Sequence, residues 1–392
     1  MNRQLYLLAA CQGLFLTNNI VFIAINGLIG LRLAPLGWMA TLPVMGYVVG
    51  GALSTPLVAR AQSAWGRKVS FQTGLVVAMF SAVLCAWAVA DKNFWLLVAG
   101  TVVAGYYSAN GQLYRFAAAE LAAPAFREKA ISLVLAGGLI GAVIGPNVAT
   151  RTRDWFAVPF AGAYVALAIV AAVAMLLVAF LQFPPVPPKT AGAGHGRPLS
   201  VIMRQPLFIV STLGAALGYG VMNLLMAATP LAMQICSLPF EDAALVLQWH
   251  VIGMFAPGFF TGHLIRRFGT LPIMAVGVVL NAVCILVALS GIALHDFLLA
   301  LFLLGVGWNF LFTGATSLSL QAYRPEEKDR AQGAINFCVF AVMALTSFAS
   351  GALVTTQGWR LLNLGSTLPV GLTALALAWL AWHRHSNRSL KL

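Results

Sequence analysis

Twelve apolar stretches, each about the length a helix needs to cross a bilayer, leave this chain few ways to fold. They fall at 5–28, 38–59, 69–90, 94–118, 131–150, 156–181, 207–231, 243–262, 271–291, 297–320, 335–355 and 361–382. Crossing the hydrocarbon core takes about 20 apolar residues in a helix. Of the 392 residues 60% are hydrophobic and 8% charged, whereas a soluble domain carries about 25% charged residues. The expected fold class is therefore all-α integral membrane, with twelve transmembrane helices. The first run, behind Met1-Asn2-Arg3, is too long for a signal-peptide core and has no convincing cleavage site, so it is expected to be retained as a helix. The chain shows no catalytic triad, phosphate loop or paired carboxylates, which leaves an enzyme reading without residues.

The net charge of +13 does not point to nucleic acid, because the cations sit in short turns between apolar runs and form no basic patch. With the N-terminus inside, 17 Lys and Arg fall on the inner side and five (Arg32, Lys92, Arg151, Arg153 and Arg360) on the outer side, with Arg115 near the inner end of the fourth run. Positive charge is retained on the cytoplasmic side, so both termini are expected there. The five cysteines, Cys11, Cys85, Cys236, Cys284 and Cys338, fit neither a disulfide framework nor a zinc knuckle.

Three segments follow: a six-helix bundle over 1–181, a cytoplasmic linker over 182–206 built around Pro184-Pro185-Val186-Pro187-Pro188, and a second six-helix bundle over 207–392. The bundles repeat. Ala64-Trp65-Gly66-Arg67 aligns with Arg267-Phe268-Gly269-Thr270 at an offset of 203, and Arg127 aligns with Arg330 at the same offset, as a duplicated six-helix unit requires. On these features the chain resembles the major facilitator superfamily. Its loop motif is partial here: Gly66-Arg67-Lys68 is kept with Ala59, Ser63 and Ala64 at the usual Gly, Asp and Arg positions, and the second copy keeps Gly262, Arg267 and Gly269 with Arg266 at the Asp position. Gly141-x-x-x-Gly145-Pro146 looks like part of that family's antiporter motif, though helix packing alone also uses Gly-x-x-x-Gly.

Titratable groups deep in a membrane are expensive and tend to be functional. All ten acids lie in loops or at helix ends, and Arg115 sits within reach of the inner boundary or of Glu120. His250 is the remaining deep group. It does not stand alone: Met222 and Met226 are four apart on the seventh run, His250 and Met254 four apart on the eighth, and residues four apart share a helix face. At 1.5 Å per residue, Met222 and His250 both lie about 4 Å outside the centres of their helices, so the four side chains can share one level. Flexible core filling is the plain reading of membrane methionines. Thioethers with imidazole select Cu(I).

Met-x-x-x-Met followed by His-x-x-x-Met on consecutive helices resembles the CcoA-type copper importers, major facilitator proteins of the bacterial inner membrane. That resemblance implies that Met222, Met226, His250 and Met254 bind copper as the transported substrate, with no other cofactor, to supply assembly of cbb-type haem-copper oxidases. It also implies functional cysteine thiols, for which Cys236 beside Met233 is the candidate. A monomer in the lipid bilayer is expected, receiving copper from a periplasmic donor and passing it to a cytoplasmic acceptor. Asn18, Asn19 and Asn26 of the first helix are expected to face the site across the central cavity. Two other readings compete. In one, the chain carries an organic solute (riboflavin, a siderophore or a drug), stacked on Tyr106, Tyr107, Trp249 or Trp308-Asn309-Phe310. In the other, it is a receptor or assembly factor that binds copper without moving it.

Overall fold

The computed structural model describes residues 3–123, 127–183, 197–324 and 327–389. Twelve crossings run through them. Helix α1 is Arg3–Leu33. Residues 42–65 form α2 and 67–90 form α3, joined at Gly66, whose φ of 81° only glycine adopts freely. Helix α4 runs Phe94–Gly111, breaks at Gln112 and Leu113, and resumes as Tyr114–Leu121. Helix α5 is Arg127–Ala136 continued, past Gly137, by Gly138–Thr152, and α6 is Ala161–Ala179. In the second half, α7 is Pro206–Ile235. Helix α8 is Phe240–Phe255 plus Gly258–Phe268, bent by 41° at Ala256-Pro257. Then come α9 (Thr270–Ser290), α10 (Leu294–Ser319), α11 (Lys328–Thr356) and α12 (Gly358–Ser389).

The duplication seen in the sequence is present in the backbone. Gly269, 203 residues after Gly66, turns α8 into α9 with φ 92° and ψ 161°, against 81° and 172° at Gly66. Most of the proline-rich linker, residues 184–196, lies outside the described residues, as does the Arg127 side chain used in the repeat alignment.

The Gly-x-x-x-Gly of α5 is used for packing. A Cβ on Gly141 would sit 2.7 Å from Gly13 O and from Leu16 Cβ, and one on Gly145 would be 3.0 Å from Ile20 Cβ, so these glycines let α5 lie directly on α1. The partial loop motif is completed differently from the expectation. Arg115 does not take Glu120: the carboxylate pairs with Arg67 at 2.6 Å and 3.1 Å, replacing the missing acid of the motif with one from the end of α4.

The halves meet on the side opposite the chain ends. The turn before α2 packs on α11, where Thr41 Oγ1 accepts from Gly351 N at 3.0 Å and Trp38 lies edge-on to Phe348 at 5.8 Å. At the ends of α5 and α6, Arg153 reaches Glu241 at 3.6 Å, and Phe160 meets Phe240 edge-on at 5.1 Å. Every residue of α7 from 220 to 233 is buried, whereas its first half keeps exposed positions. The passage between the bundles is thus sealed on the far side.

Candidate functional site

The seal on α7 begins where the methionine pair stands. Met222 and Met226 are 3% and 5% exposed, His250 0% and Met254 6%. The three methionines belong to one continuous apolar core that also takes in Met233, Trp308 and the outer half of α1, with Cys236 packed against its edge. The lateral position of α7 follows from its other faces: Asn223 donates to Met343 O, Thr346 Oγ1 and Ser347 Oγ on α11 at 2.8–3.1 Å.

On α8 the local geometry is set by α10. Gly305 has no side chain because none fits, since a Cβ there would lie 2.4 Å from His250 O and 2.9 Å from Met254 N. With the helices this close, His250 Nδ1 lies 2.6 Å from Leu301 O. A carbonyl only accepts, so Nδ1 carries the proton and Nε2 keeps its lone pair. That Nε2 is buried and has no partner among the described residues. One helical turn on, Asn309 of α10 donates to Met254 O at 2.7 Å and accepts from Thr261 Oγ1 at 2.7 Å, spanning the bend of α8. The imidazole is therefore oriented through one ring nitrogen and open at the other. Among the described residues no group of three His, Cys, Asp or Glu side chains could hold a metal ion.

Several other expected residues have different work. Both ends of the Asn309 amide are occupied in holding α8 to α10, so it offers nothing to a substrate in this state. Asn26 does not face the second half: it accepts from Tyr164 Oη at 2.7 Å and donates to Phe22 O. Asn19 and Asn18 both engage the hydroxyl of Tyr47 on α2. Trp249 is exposed on the outside of α8, edge-on to Phe302. Tyr107 is buried against Phe15 at 5.5 Å. Met233 is fully buried, and Cys236 caps the end of α7, half-buried, with its N–H on Ala232 O. Trp308 does lie in an aromatic cluster, stacked on Phe312 at 5.1 Å and edge-on to Tyr219 at 5.4 Å, and its Nε1 is buried without a partner among the described residues.

The model of the family described as the Major Facilitator Superfamily matches residues 5–345 and 212–392. The chain belongs to that superfamily. It is 37% identical over 366 residues to the riboflavin transporter RfnT of Brucella anthropi, covering 92% of this chain and 91% of that protein. It is 25% identical over 364 residues to the uncharacterized MFS-type transporter YddS of Bacillus subtilis, covering 88% and 82%. Two solved structures share the fold. The nucleoside transporter NupG, solved as a point mutant, superposes with a TM-score of 0.74 at 13% identity over 96% of this chain and 99% of its own. The human organic anion transporter MFSD10 gives 0.68 at 14%, over 96% and 100%. The protein is a multi-pass membrane carrier and not an enzyme.

Proposed function

We propose that this carrier moves copper across a bacterial inner membrane by alternating access, taking the ion between Met222, Met226, His250 and Met254 and serving assembly of cbb-type oxidases. The observation that carries the reading is His250: an imidazole in an apolar core, turned by Leu301 O, with an unpartnered Nε2. A buried polar atom without a partner costs free energy, and a soft cation removes that cost. Thioethers add ligands without adding buried negative charge, which suits a site that must also release its ion. The excess of cations beside the termini supports a cytoplasmic location for both chain ends. An inside-negative potential favours entry of a monovalent cation by about 2.3 kcal/mol per 100 mV.

A second reading draws more direct support from the relatives: a planar organic solute such as riboflavin, the cargo of the 37% identical relative. The unpartnered Nε1 of Trp308 and the faces of Tyr219 and Phe312 are the features here that suit it. Likeness over the whole length transmits the scaffold, whereas cargo rests on a few side chains. Sites for such ligands depend on a few placed polar groups, and the buried Trp308 N–H among the aromatic faces is one that this structure offers. The relatives support this organic-solute reading better than copper import, whose support is the geometry of His250 alone.

Uptake of radiolabelled copper and of radiolabelled riboflavin, measured in cells lacking the endogenous carrier and expressing this one, separates the two. The copper reading expects copper uptake that His250→Ala and Met222→Ala abolish at unchanged protein level. Riboflavin uptake that both variants retain, with copper uptake at background, overturns it.

A further inference from the structure

On the side opposite the chain ends, where the two halves seal the passage, a cavity of about 250 Å³ remains between them. It is lined by Leu28 and Arg32 of α1, by Arg153 and Phe160 from the turn between α5 and α6, and by Gln234 of α7 and Phe240 of α8. Both arginines close on one ring. Their guanidinium carbons each lie 5.5 Å from the centre of Phe160, so they stand at most twice that distance apart. Phe160 is held there in a left-handed backbone conformation, φ 71°, which a bulky residue adopts only where its surroundings impose it. Its N–H donates to Arg153 O at 2.7 Å, and its ring packs edge-on against Phe240. Arg153 Nε is buried and makes no hydrogen bond among the described residues. The two acids paired with Arg153, Glu241 at 3.6 Å and Asp154 at 3.7 Å, are exposed and stand beyond hydrogen-bond reach. Arg32 forms no ion pair with any described acid.

Cation–π attraction accounts for one guanidinium at an aromatic ring. Two on the same ring repel each other, and loosely paired exposed acids neutralise Arg153 only in part, so the cavity is left with an excess of positive charge. The amino end of α8 adds to it. Pro239 and Phe240 wall the cavity, and the first N–H groups of a helix have no partner within it and carry a partial positive charge. We infer that this cavity binds a small soluble oxyanion of the phosphate type, held between the halves by Arg32 and Arg153. The guanidinium fork matches two oxygens of such a group. The cavity is smaller than the about 300–1,000 Å³ of pockets for drug-sized ligands, which suits an ion rather than a planar cargo. Its walls come from both halves, so the anion fits the state closed on this side and favours that state by its differential affinity. Neither reading of the cargo is needed for it.

The test uses the full-length protein purified in detergent, titrated with sodium phosphate against sodium chloride at constant ionic strength, with calorimetry and thermal unfolding as readouts. Phosphate is expected to bind saturably and to raise the unfolding temperature, and chloride is not. Arg32→Gln and Arg153→Gln are each expected to weaken phosphate about tenfold or more. Glu241→Gln is expected to tighten it severalfold by removing a competing carboxylate, and Arg360→Gln, an exposed cation outside the cavity, to leave it unchanged. Arg32 is exposed and makes no side-chain hydrogen bond among the described residues, so Arg32→Gln carries the comparison if Arg153→Gln does not purify folded. Nanodiscs of phosphatidylcholine with and without phosphatidylglycerol separate the two sources of a phosphate group. Equal phosphate affinity in both is expected; loss of phosphate binding with phosphatidylglycerol at high salt gives the site to lipid headgroups and overturns the soluble ligand. Equal phosphate affinity in wild type and Arg32→Gln overturns the site. Saturation by chloride at the same concentrations, or no phosphate response, overturns the ligand class.

Discussion

Replacing Asn309 tests how α8 is held at the level of the site. Its amide donates to Met254 O and accepts from Thr261 Oγ1, both at 2.7 Å, across the bend at Pro257. Asn309→Leu keeps the branched shape but removes both bonds and leaves the buried Met254 carbonyl without its partner, while the Thr261 hydroxyl keeps Pro257 O at 2.8 Å. Unsatisfied buried groups cost about 1–3 kcal/mol each, but hydrogen bonds between membrane helices average only about 0.6 kcal/mol and reach about 1.7. A net loss of about 1–3 kcal/mol is therefore expected. Asn309→Asp separates the two bonds: it still accepts from Thr261 but sets a carboxylate against Met254 O, so it is expected to be the more destabilising of the two. Thermal and denaturant unfolding of the purified carrier in detergent would measure both, with copper binding assayed on the same samples. If Asn309→Asp is as stable as wild type, the amide does not brace α8 and the local account of the site is wrong.

Other consequences follow from neighbouring contacts. Gly305→Ala forces a methyl to within 2.4 Å of His250 O; it should cost about 1–3 kcal/mol by overpacking and weaken copper binding, because it pushes apart the helices that orient the imidazole. Glu327 accepts from Arg197 Nε at 2.8 Å and Nη2 at 2.7 Å and from the backbone N–H of Arg197 and Arg324, and Arg197 beside it holds its carboxyl well below the usual carboxylate range. A depressed folded pKa gives stability that is present above the unfolded value and lost as pH falls below it. Unfolding midpoints of wild type should therefore drop on acidification below about pH 4.3, and Glu327→Gln should start lower at neutral pH and drop less. Glu241→Gln breaks only an exposed pair with Arg153 at 3.6 Å and should change stability by less than about 1 kcal/mol; a larger loss in the same unfolding assay would mean that the far-side seal depends on this charge pair.

The sequence made the crossings legible because apolar length is a collective signal that no single residue can spoil. It made the repeat legible too: the offset of 203 found the two glycines that turn α2 into α3 and α8 into α9, where positive φ demands glycine. The breaks inside α4, α5 and α8 were not legible. A proline within an apolar run such as Pro257 permits a bend, but whether the helix takes it depends on what braces the freed backbone, here Asn309 from another helix. Polar residues failed for the same reason. Asn19, Asn26 and Asn309 sit at the right depths for a binding role, yet each side chain is engaged by a residue more than 25 positions away. The i, i+4 spacing of the Met and His pairs says only which residues share a helix face, and the structure adds what spacing cannot carry: which nitrogen of His250 is bound and which is open.

The most direct test of the central claim is Cu(I) binding to the purified carrier, measured anaerobically by competition with a colorimetric Cu(I) chelator. The account predicts that wild type withdraws a single ion per chain, that His250→Ala and Met222→Ala each lose most of that affinity, and that replacing Met222, Met226, His250 and Met254 together abolishes it. Wild type that withdraws no copper, or a fourfold variant that binds as tightly as wild type, would contradict it.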